Sequence, residues 1–134
     1  MKTFLVVLAL SVVSLAQSNY KPAASRALEA LKTYQHHVHI LPDPSTQREM
    51  ELAADEADKL VDRAAHDAST DQDKAFQQRV ERYRDDIEDM RQIVEKYIDW
   101  QQRSGSMYGK YSKQLIEQFN TANLKAYAET PYVH

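Results

Sequence analysis

The sequence predicts an all-α protein, an antiparallel up-down four-helix bundle, and three observations carry that prediction. Apolar residues recur at alternating spacings of three and four through most of the chain after residue 20. Only two glycines and four prolines interrupt its 134 residues, and all of these chain breakers except Gly109 fall between the periodic segments or beside them. There is no cysteine, so no disulfide can replace a hydrophobic core, and stability has to come from packed helices.

Residues 1–16 stand apart. Met1-Lys2-Thr3 is a short positive start, Phe4 to Val13 is apolar except for Ser11, and Ser14-Leu15-Ala16 presents small residues at a cleavage position. This pattern predicts a cleaved signal peptide over residues 1–16, a secreted extracellular protein beginning at Gln17, and no transmembrane anchor, because the apolar run is too short to span a bilayer. The helical domain is expected over residues 17–129, with residues 130–134 as a short tail.

The first helix is predicted from about Ala23 to Leu41, with Ala24, Leu28, Leu31, Val38 and Leu41 on one stripe. Pro42-Asp43-Pro44 ends it, since proline has no amide hydrogen and disfavours helical geometry in the residue before it. The second helix is expected from about Thr46 to Ala68, opened by Thr46 with Glu49 as a capping box. Its stripe is Met50, Ala53, Ala57, Leu60 and Ala64, and the small alanines favour close approach of a neighbouring helix. The third helix has the clearest pattern: Phe76, Val80, Tyr83, Ile87, Met90, Val94 and Tyr97 alternate steps of four and three.

Neither glycine nor proline separates the second and third helices, so a merged coiled-coil rod of ~85 Å is the alternative architecture. The stripe jumps by two residues across Ser69-Thr70-Asp71-Gln72-Asp73, however, which predicts a turn capped by Thr70 or Asp71. Ser104-Gly105-Ser106 closes the third helix, at ~50 Å longer than its neighbours and expected to overhang them. The fourth runs from about Ser106 to Ala128, with Tyr108, Tyr111, Leu115, Phe119, Ala122 and Ala126 on one face and Gly109 inside the pattern.

The net charge of −3 comes from interleaved acids and bases. No coherent basic face exists for a phosphate backbone, which excludes nucleic acid as a partner. No Gly-x-Ser-x-Gly, His-Glu-x-x-His, calcium loop, nucleotide loop or di-iron Glu-x-x-His pattern occurs. The expectation is therefore a non-enzymatic protein without a cofactor. His36 and His39, three apart on one helical face, are the only local candidates for metal ligands, and half-buried or solvated histidines at a helix end are the simpler reading. Asp85 to Asp89 reads as the solvated face of the third helix.

Eight tyrosines and one tryptophan suggest an aromatic layer. Core packing is the simpler assignment, and the sharper one is an interaction surface built from Tyr97, Trp100, Tyr108 and Tyr111. The expected function is protein–protein interaction in an extracellular fluid, with an unidentified protein partner or self-association. In its amphipathic helices of mixed charge the chain is similar to the exchangeable apolipophorins, a likeness of composition carried by no motif. That resemblance implies a carrier of lipid or a small apolar ligand whose bundle opens onto lipid.

Overall fold

A computed structural model describes residues 19–38, 44–104 and 109–132. They form four helices: α1 (Tyr20–His37), α2 (Pro44–Asp67), α3 (Asp71–Ser104) and α4 (Lys110–Glu129). Residues 1–16, where the sequence predicts a signal peptide, and His39, Gly105 and Tyr108 lie outside the described residues. Among those described, no helix is long and apolar enough to cross a membrane.

Cross-helix contacts give the direction of each helix. Arg84 pairs with Asp62 at 3.3 Å and Arg91 with Asp55 at 3.0 Å; seven steps forward on α3 are seven steps back on α2, so the two are antiparallel. Tyr20 meets Phe76 and Gln77 near the start of α3, and Gln35 meets Tyr83 further along, which sets α1 parallel to α3. Lys125 approaches Asp86 while Tyr111 approaches Trp100, so α4 runs back down α3. The result is the up-down-up-down bundle that short connections favour.

Helix boundaries differ from the sequence expectations in ways that local chemistry explains. Pro22 sits in the first turn of α1, where an amide hydrogen has no intrahelical acceptor to lose, so the helix starts at Tyr20 rather than Ala23. It ends at His37, with the Val38 amide donating to the Tyr34 carbonyl at 3.1 Å. Pro44 opens α2, a position suited to its fixed φ; Thr46 and Glu49, expected to start the helix, therefore lie inside it. Residues 68–70 break α2 from α3, which removes the merged rod. Thr70 caps α3: its Oγ1 accepts the Asp73 amide at 3.0 Å, and Asp73 Oδ2 accepts the Thr70 and Ser69 amides at 3.5 and 3.3 Å. Gly109, expected within the fourth helix, instead precedes it at φ 136° and ψ 173°, a backbone region essentially confined to glycine.

The core follows the α3 stripe. Val80, Tyr83, Ile87, Met90, Val94 and Tyr97 are buried as expected, and Phe76 is half-buried. On α2 the buried line is Ala54, Ala57, Val61 and Ala64, one residue round from the expected Ala53 and Leu60, which are half-buried. Tyr97 belongs to this core rather than to a surface. Asp86 is a second correction: it is 4 % exposed and faces α4, not solvent. The tail does not leave the bundle at once, because Pro131 is fully buried and Thr130 Oγ1 donates to the Ala126 carbonyl at 2.7 Å.

Two polar bridges pin the helices together from inside. Tyr20 donates to Gln77 Oε1 at 3.0 Å, and Gln77 Nε2 donates to the Val61 carbonyl at 3.1 Å, joining α1, α3 and α2. Tyr83 donates to Gln35 Oε1 at 2.6 Å, and Gln35 Nε2 donates to Asn123 Oδ1 at 2.9 Å, joining α3, α1 and α4. Each buried amide thus has a donor and an acceptor on two other helices, and a shift in register leaves them unpaired.

Candidate functional site

Of the three described aromatics expected to form a surface, Tyr97, Trp100 and Tyr111, the structure brings the last two together. Trp100 on the last turns of α3 is half-buried against Tyr111 on α4, with ring centroids 5.8 Å apart. Tyr111 is 44 % exposed. The pair sits where the antiparallel helices α3 and α4 approach their connection, and Gly109 borders the indole, where a Cβ would lie at ordinary contact distance, 3.9 Å.

More apolar surface lies further along α4. Ile116, Leu124 and Tyr127 are 39 %, 70 % and 54 % exposed, and with exposed Asn120 they recur at steps of four, four and three. A helix buried along Leu115, Phe119 and Ala126 needs no such residues on its other side. The sequence pattern of α4 carried this second stripe, hidden by the stronger inward one.

At the other end of the bundle α4 stops short. It ends beside Asp86 and Tyr83, so among the described residues the early turns of α3 and the start of α1 meet only the tail on that side. There an open groove of about 400 Å³ is lined by Tyr20, Ala24, Phe76, Arg79, Lys21 and Tyr132, among others. Nothing in the linear pattern marks it, because it arises from unequal helix lengths.

The polar groups near these surfaces are shifted by burial. Asp86 is pushed up to about 7, first by desolvation, then by a hydrogen bond to Glu129 and that residue's charge, against the pull of Lys125 at 3.7 Å. Asp86 Oδ2 and Glu129 Oε2 are each buried without a hydrogen-bond donor, and a proton held between the two carboxyls would satisfy both. Burial likewise pushes the Tyr20 and Tyr83 hydroxyls up to about 12. Arg91, surrounded by Asp55, Glu88 and Glu95, neutralises the acidic seam between α2 and α3.

His36 is exposed on the last turn of α1, its ring 6.1 Å from that of His37. Among the described residues no group of three or more histidine or carboxylate side chains is placed to hold a metal ion. Comparison with known proteins finds no matching family, no similar curated protein and no similar solved structure.

Proposed function

We propose that this is a secreted, non-enzymatic protein that acts through protein–protein contact on the outer face of α4, with a second copy of the chain as the partner. The observation that carries the proposal is the exposed stripe of Ile116, Leu124 and Tyr127 on a helix whose opposite face is already buried. The stripe is self-complementary. Antiparallel pairing about a two-fold axis at Asn120 sets Ile116 against Leu124 of the copy and Lys113 against its Tyr127, the reciprocal arrangement a two-fold interface demands. Secretion is supported by the charge and hydropathy pattern of residues 1–16.

Sedimentation equilibrium tests the contact. The chain is expected to form a reversible dimer that Leu124→Glu abolishes without loss of helicity, because Leu124 makes no part of the core. A wild-type chain that stays monomeric throughout the accessible concentration range overturns it. Expression in a secreting host tests the destination, with a product beginning at Gln17 expected in the medium.

A lipid carrier is the second reading, supported by the amphipathic helices. Opening the bundle onto lipid would strip Gln35 and Gln77 of their tyrosine partners in hydrocarbon, a cost of several kcal/mol. A small ligand needs no such opening.

A further inference from the structure

We infer that the groove at the short end of the bundle binds a small amphiphilic carboxylate: an aromatic or short aliphatic body between Tyr20, Phe76 and Tyr132, and an anionic head at Arg79. This site is separate from the α4 face, and its test does not depend on self-association.

The shape comes from the fold. Ala24, fully buried on α1, and Ala75 on α3 put small side chains in the groove wall, and α4 ends before it could fill the space. Tyr20 and Phe76 meet edge to face, with centroids 6.3 Å apart and planes at 84°. Tyr132 from the tail forms the outer wall, its ring held 4.9 Å from the Lys32 ammonium. The volume of about 400 Å³ falls within the range of small-molecule sites, and apolar walls with few polar groups are their usual lining.

The charge at the rim selects the head group. The Arg79 guanidinium lies over the Phe76 ring at 5.5 Å and makes no ion pair among the described residues. Lys21 lines the same groove. Asp73 and Glu81 are the opposing charges near Tyr20; the Asp73 carboxylate is turned to the cap of α3, where it accepts the Ser69 and Thr70 amides, and Glu81 does not line the groove. A planar guanidinium engages a carboxylate with paired hydrogen bonds, as it does a phosphate, and the small, largely aromatic groove suits a carboxylate on an apolar body.

The experiment titrates 3-phenylpropionate, and the neutral 3-phenylpropan-1-ol of similar shape, into the full chain, following shifts of the Tyr20, Phe76 and Tyr132 ring resonances. Saturable binding of the acid is expected, about tenfold tighter than that of the alcohol. Arg79→Gln is expected to erase that preference, and Ala75→Phe, at an exposed rim position, to weaken both ligands by filling the groove. Equal affinity for acid and alcohol, a preference that survives Arg79→Gln, or no saturable shift through the millimolar range overturns the proposal. Arg79 is exposed and outside the core, so that variant keeps the test valid if Ala75→Phe disturbs packing.

Discussion

Asp86→Asn will make the protein more stable at pH 8, and the gain will vanish towards pH 4. In the native chain Asp86 is buried between α3 and α4 with its group pushed up to about 7, chiefly by burial and then by Glu129. A carboxyl whose folded pKa lies above its unfolded value contributes stability that is fully present below the unfolded value. That stability is lost as the pH rises towards the folded one. The window therefore runs from about pH 4 to about pH 7, and a shift of this size corresponds to a few kcal/mol across it. Asparagine keeps the shape and offers Glu129 an N–H donor at every pH. Urea unfolding of both proteins between pH 4 and pH 8 reads the difference directly. A difference that stays flat across this range, or an asparagine variant weaker at pH 8, would show that no shared proton sits between the two side chains.

Tyr83 is expected to give the largest loss of stability. Its ring is fully buried in the main core cluster and its hydroxyl donates to Gln35 at 2.6 Å. Tyr83→Ala removes both and should cost about 3–5 kcal/mol, as large-to-small changes of buried aromatics do. Tyr83→Phe keeps the ring but leaves Gln35 Oε1 without its donor, at about 1–3 kcal/mol. Chemical denaturation separates the two contributions, and a phenylalanine variant as stable as the native chain would show that the bridge adds nothing. Alkaline unfolding supplies an independent check. Burial pushes the Tyr83 hydroxyl up to about 12, so the stability it contributes below pH 10 is lost as the pH rises from 10 to 12. The phenylalanine variant should lack that part of the slope.

The legible parts of this chain share one property: they are governed by neighbours in sequence. The α3 stripe from Val80 to Tyr97 is a matter of helical period, and each of its members is buried. The turn between α2 and α3 follows from Thr70 and Asp73, whose side chains reach only three or four residues. What was misread depends on partners far along the chain. Asp86 looks solvated among Asp85, Glu88 and Asp89, and is buried because α4 returns over it. Val61 rather than Leu60 faces inward on α2 because close packing against its neighbours chooses among adjacent apolar positions.

The same division applies to the candidate sites. Trp100 and Tyr111 were readable as unusual aromatics, and the α3–α4 hairpin sets them side by side. The groove was not readable, since it exists only where a helix of 20 residues fails to cover one of 34. The sequence by itself determined the helical class, the cap of α3 at Thr70 and the apolar face of α3, because local spacing and capping control these. Tertiary structure alone decided which polar side chains are buried, which tyrosines bridge helices and where the bundle stays open, because those depend on the relative lengths and directions of helices that no local pattern encodes.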